Sequence, residues 1–172
     1  MDGVRPYSYA VKPGSPMARG ARVTPEGVNF AVFSRNAESM TLCLYEGSGD
    51  GEAAFEYRLD PRLNRTGDIW HALVVGLGAG ALYLWRADGP YLPAKGHRFN
   101  RHKALIDPYA RALTGDRPRD LRAAMAYDPG SPDGDLSFST EDDAASMPKC
   151  IVAGDDFDWD GDRPLNYPLR HC

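Results

Sequence analysis

The stretch DDFDWDGD, Asp155 to Asp162, gathers more potential chemistry than any other in this 172-residue sequence. Its alternating carboxylates fit the first half of a calcium-binding loop, with Asp156, Asp158 and Asp160 at positions one, three and five and Gly161 at six. Such a loop needs a bidentate Glu at position twelve, because three carboxylates do not fill the shell of the ion. That position is Tyr167, and Pro164 and Pro168 forbid the helix that should follow. What remains is an acidic, turn-rich connector whose Phe157 and Trp159 pack on a neighbouring surface. No metal is expected here.

The other reactive side chains form no complete active site. Asp60–Pro61, Asp107–Pro108, Asp128–Pro129 and Asp133–Gly134 are turn pairs, whereas an acid–base couple needs a cleft and a partner. His71, His97, His102 and His171 lack metal-ligand spacing, and His71 falls within a strand-like alternation. The glycine-rich runs GSPDGD and GLGAGA lack the strand–loop–helix frame of a phosphate site. A serine elbow of the G-x-S-x-G type is absent. No catalytic residue and no cofactor are expected.

Aromatic residues carry more. Trp70, Tyr83, Trp85 and Tyr91 fall on two strand-like runs and the turn leaving them. Aromatic faces stack on the apolar side of a pyranose while neighbouring polar groups grip its hydroxyls. Trp70 and one of Tyr83 or Trp85 are expected to fill the core. Tyr91, after the turn Asp88–Gly89–Pro90, is expected at the surface and leads the candidates for a sugar platform, with Trp85 and Asp88 beside it.

The elements that must position these residues read as short strands. In GVNFAVF, Val28, Phe30 and Val32 share a face. In SMTLCLY, Met40, Leu42 and Leu44 do, opposite Thr41, Cys43 and Tyr45. AAFEYRL, IWHALVV and ALYLWRADG alternate in the same way, with turn residues between them. Short strands at regular spacing predict an all-β, immunoglobulin-like antiparallel sandwich with an irregular C-terminal extension. The predicted organisation is an extended lead-in over 1–26, the sandwich over 27–115, a loop over 116–147 with RDLRAAMA its only plausible helix, and a connector over 148–172.

Composition limits the partners. A net charge of −4 gives no electrostatic footprint for nucleic acid, and no apolar run has membrane-spanning length. Three cysteines, Cys43, Cys150 and Cys172, are an odd number without metal spacing or a secretory leader. That suits a reducing cytoplasm, or a plastid stroma after loss of a transit peptide.

Four segments in order, GVNFAVFSRNAESMTLCLYEG, LNRTGDIWHALVVGL, DGPYLPAKGHRFNRHKALIDPYARALTG and MPKCIVAGDDFDWDGDRPLNYPL, resemble the N-terminal region of glycogen-debranching enzymes and isoamylases of glycoside hydrolase family 13. The resemblance implies that residues up to about Gly115 form a family-48 carbohydrate-binding module. It also implies α-glucan as partner, whether glycogen, amylopectin or malto-oligosaccharide, and a catalytic barrel cleaving α-1,6 branch points in the parent protein. Phe157 and Trp159 then anchor the connector that leads to the barrel.

A barrel takes about 250 residues and carries its catalytic groups on the loops after its strands. The family's nucleophile, acid/base and second aspartate therefore have no counterpart here, and no hydrolysis by this chain alone is expected. In glycogen-binding relatives of the module an aromatic follows an Asp–Gly turn and stacks on glucose. Tyr91 matches it after Asp88 and Gly89, whereas Leu84 stands where those relatives carry a lysine. The alternative expectation is a free-standing glucan-binding or protein-docking module.

Overall fold

The computed structural model describes residues 8–115, 122–154 and 160–162. In chain order the strands are β1 (Val11–Lys12), β2 (Gly20–Thr24), β3 (Gly27–Phe33), β4 (Ser39–Tyr45), β5 (Phe55–Arg58), β6 (Arg65–Thr66), β7 (Ile69–Val75), β8 (Leu82–Asp88), β9 (Tyr91–Leu92), β10 (His97–Arg98), β11 (Ala112–Leu113) and β12 (Cys150–Ile151). Single 3-10 turns cover Pro93–Lys95 and Gly134–Leu136. No helix among the described residues is long and apolar enough to cross a membrane.

Four of the five period-two runs become the long strands β3, β4, β7 and β8, the fifth becomes the shorter β5, and together they set the register. One sheet has the order β1-β7-β3-β2, with β6 also on β7; the other runs β11-β12-β8-β4-β5, and β9 and β10 form a separate ribbon. The pairings are antiparallel. In the first sheet Val28, Phe30 and Val32 lie opposite Val74, Ala72 and Trp70. In the second, Met40, Leu42 and Leu44 lie opposite Ala87, Trp85 and Tyr83. All twelve are buried, and the Phe30 ring meets Tyr83 and Trp85 edge-on at centroid distances of 4.9 and 6.3 Å. Each large apolar side chain withdrawn from water here contributes about 1.5–3 kcal/mol. Gly27 lets β3 approach β7, since a Cβ there would stand 2.0 Å from the Val74 carbonyl oxygen.

The sandwich begins earlier than the sequence suggests. Both β1 and β2 belong to the first sheet, so much of the expected lead-in is part of the fold. The Asn29 side chain donates to the Ser15 carbonyl at 3.0 Å and accepts from the Ser15 N–H at 2.7 Å. The Pro13 carbonyl lies 2.7 Å from Nδ1 of His71, and a carbonyl only accepts, so that nitrogen carries the proton. Nε2 then accepts from the Thr66 hydroxyl at 2.9 Å. His71 is therefore a buried sheet residue. A two-residue strand and a Gly/Arg-containing one carry too little alternation to be read.

The C-terminal part also differs from a simple linker. β12 enters the second sheet between β8 and β11. Cys43, Tyr45 and Leu84 face away from the first sheet, yet all three are buried, because residues 139–149 return across that outer face. Both oxygens of Asp142 accept from Nη2 of Arg86, at 2.8 and 3.0 Å, and the Lys149 ammonium lies 4.5 Å from the Tyr45 ring centroid. Of the expected helix over 119–126, residues 119–121 lie outside the described residues, and 122–124 form a turn.

Burial makes two thiols inert. It pushes Cys43 up to about 12, with the Glu56 carboxylate adding to the effect, and Cys150 up to about 11. The thiolate is the nucleophile, so neither should alkylate in the native protein at neutral pH. Iodoacetamide labelling followed by peptide mapping should find both unmodified until denaturant is added. Labelling of Cys43 in the native state would show that the return segment opens.

Candidate functional site

The turn from β8 to β9 places Asp88 and Tyr91. The Asp88 carbonyl accepts the Glu38 N–H at 2.9 Å, and its carboxylate takes the Gly89 N–H at 3.1 Å. The other carboxylate oxygen faces Arg101 at 3.8 Å, and the Asp88 side chain is 43% exposed. Gly89 suits this place because a Cβ would stand 3.0 Å from Phe99 and from the Asn36 carbonyl, a tight fit on both sides. Tyr91 then pairs with Arg98 in the β9/β10 ribbon.

Tyr91 is half-buried, because the chain returns over it. Its hydroxyl donates to the Ser137 carbonyl, and the Phe138 ring meets it edge-on at 4.8 Å and 89°. Arg98 grips Asp135 of the same loop at 3.0 Å. The most exposed apolar groups at this place are Leu92, Leu136 and Phe138. Tyr91 is thus less open to solvent than the sequence suggests, because residues 137–138 lie against it, and the ring beside it that faces solvent most openly is Phe138.

Trp85 is not available to a sugar. It is 1% exposed, on the inward face of β8, and its indole N–H points to the Asp107 carboxylate at 3.4 Å. The same carboxylate accepts the Tyr83 hydroxyl at 2.9 Å and the Tyr109 N–H at 2.8 Å. Burial, with Asp107 alongside, pushes the Tyr83 phenol far above its usual range, so it remains a donor. Trp85 also borders a cavity of about 500 Å³ whose lining is mostly apolar, with Val32, Met40, Phe99 and Leu105 among it. The expected sugar contact at Trp85 gives way to a core role, because Trp85 shares its face with Tyr83 and Ala87.

Phe157 and Trp159 lie outside the described residues, as do Asp156 and Asp158. Among the described residues no group of three or more His, Cys, Asp or Glu could hold a metal ion. Sequence reasoning missed Phe138 and the polar side chains that fix its loop. The only available signal was an isolated aromatic in the run LSFST, amid turn residues.

Known proteins match this arrangement. The model of the family described as carbohydrate-binding module 48 (isoamylase N-terminal domain) matches residues 19–110. The chain is 41% identical over 155 residues to a glycogen debranching enzyme of Yersinia pseudotuberculosis, and 43% identical over 155 residues to one of Yersinia enterocolitica. Each alignment covers 90% of this chain and 21% of the relative, so the chain spans about a fifth of the curated proteins it matches. Among solved structures, the catalytic module of the glycogen-degrading pneumococcal virulence factor SpuA aligns with a TM-score of 0.52 and 15% identity. That alignment covers 83% of this chain and 17% of the other, and it supports the fold alone. With more than half of its length matched by the family model, and the sandwich in place, the chain belongs to the carbohydrate-binding module 48 (isoamylase N-terminal domain) family.

Proposed function

We propose that this chain is the α-glucan-binding and scaffold module of a debranching glycoside hydrolase. It engages glycogen, amylopectin or malto-oligosaccharide through the Asp88–Tyr91 turn. Hydrolysis of α-1,6 branch points belongs to a catalytic barrel in the parent protein. The observation that carries this reading is the family match over 19–110, set beside 41% identity to glycogen debranching enzymes. The turn adds support: it carries a half-exposed carboxylate at Asp88 and, three residues on, the aromatic Tyr91, residue types that grip sugar hydroxyls and cover a pyranose face.

Native affinity electrophoresis through gels with and without glycogen or amylopectin tests it. The chain should be retarded by glucan, and Tyr91→Ala should weaken retention about tenfold, the loss expected for one stacked ring. Equal mobility in all gels would remove glucan binding from this chain and leave only the scaffold role.

A further inference from the structure

A second cleft opens beside Tyr91, outside residues 19–110 that match the family. Arg122, Tyr127, Asp128, Phe138, Thr140 and Glu141 line it, and it encloses about 340 Å³, within the range of small-ligand sites. Its walls are two lengths of the returning segment, 126–128 and 137–141. They are tied to each other: the Ser139 N–H donates to the Ala126 carbonyl at 3.0 Å, and the Asp128 N–H to the Ser137 hydroxyl at 2.9 Å.

Two buried polar side chains hold the walls from beneath. Asn100, 5% exposed, donates to the carbonyls of Ser139 at 2.8 Å and Ala126 at 3.3 Å. Lys103, 3% exposed, donates to the carbonyls of Ala123 at 2.6 Å and Glu141 at 2.7 Å, and to the Ser139 hydroxyl at 3.2 Å. A cleft fixed in this way is preorganised, so binding loses little to ordering.

The lining selects the ligand class. Two carboxylates stand against one guanidinium in the lining and the Lys103 ammonium beneath it, so the cleft carries no net charge that would select an ion. Carboxylates, a threonine hydroxyl and a guanidinium together accept from and donate to vicinal hydroxyls. Tyr127 and Phe138 stand among these polar groups in the lining, each with an aromatic ring of the kind that can meet the apolar side of a sugar. Phe138 is shared, for it lines the cleft and also meets Tyr91 at 4.8 Å. A chain laid on the Tyr91 turn therefore runs on into the cleft.

We propose that this cleft is a second saccharide-binding site, taking further glucose residues of a neutral α-glucan chain whose first contact is the Asp88–Tyr91 turn. The inference rests on the reading that the module binds α-glucan, and it adds a contact contributed by the returning segment.

Calorimetric titration with maltoheptaose, and affinity electrophoresis in glycogen, would test the full chain beside Tyr91→Ala, Tyr127→Ala and Glu141→Ala. Glu141 has an exposed side chain, so its variant keeps the fold even where Tyr127→Ala loosens the loop. Glu141→Ala should weaken maltoheptaose about tenfold, the loss of one hydrogen bond to a charged group. Tyr127→Ala should weaken it by a similar factor. Loss for both ligands assigns the cleft to linear glucan, and loss for glycogen alone assigns it to the branched polymer. If Tyr91→Ala weakens binding while Glu141→Ala and Tyr127→Ala match the parent, the cleft is overturned and the Tyr91 site stands. If the parent chain binds neither ligand, both readings fall.

Discussion

Trp85→Ala should lower the unfolding free energy by about 3–5 kcal/mol. Domains of this size hold about 5–15 kcal/mol in all, so much of the fold's margin would be lost. Three observations set the magnitude. The indole is 1% exposed and lies against Phe30 from the opposite sheet. Its N–H reaches the buried Asp107 carboxylate, which would lose one of its donors. Its backbone exchanges hydrogen bonds with Leu105 at 2.9 and 2.7 Å, so a collapse around the cavity would disturb a second segment. A lower urea midpoint with an unchanged slope is the expected signature. Trp85→Phe, which keeps a ring but loses the long bond to Asp107, should cost about 1 kcal/mol. A Trp85→Ala protein as stable as its parent would return Trp85 to the list of surface candidates.

Lys103→Met should cost a similar amount, about 3–5 kcal/mol, for an electrostatic reason. Methionine fills the channel but donates nothing, so the carbonyls of Ala123 and Glu141 lose their partner. Asp143, 2% exposed, also loses a nearby positive charge. Burial already raises the Asp143 carboxyl above its usual range, opposed by the Ala104 N–H at 2.7 Å and by Lys103. Without Lys103 it rises further. A carboxyl raised on folding adds no penalty while it is protonated in both states, and costs stability as pH climbs from its unfolded value towards its folded one. The deficit of Lys103→Met should thus be smaller at about pH 4 than at about pH 7. Asp143→Asn in the same background should recover part of the loss at neutral pH. Urea midpoints at the two pH values check the sign; a deficit that shrinks with rising pH would refute the coupling. Amide exchange over residues 122–141 should quicken in the variant, because the anchor of that segment is gone.

The long strands are legible because each buries one face, and burial writes period two into the chain. GVNFAVF, SMTLCLY and IWHALVV match β3, β4 and β7 residue for residue. The alternation puts Tyr83, Trp85 and Ala87 on one face, with only one of the two large rings expected in the core, but the structure buries both. The short strands β1, β11 and β12 escape notice because two residues cannot display a period. Nor does the segment over 122–149 announce that it folds back. It is held by side chains bonded to carbonyls, from Asn100, Lys103 and Lys149, and such bonds leave no rhythm in sequence. One trace is visible in retrospect: Cys43 and Tyr45 stand on the face of β4 where a solvated sheet would carry polar groups. The Asp88–Gly89 turn is legible from residue types alone. The roof over Tyr91 is not, since it depends on where a distant loop comes to rest.

The seat of β12 between β8 and β11 has a consequence for how the molecule is made. A chain leaves the ribosome N-terminus first, so β8 is complete long before Cys150 and Ile151 exist. Until they arrive, the edge of β8 at Leu82 and Tyr83 presents unpaired peptide groups, the kind of template on which nascent neighbours adhere. Closing that edge joins residues far apart in sequence, a slow class of contact. The vulnerable interval in the life of this protein is thus its own synthesis, and it ends when one dipeptide finds its slot.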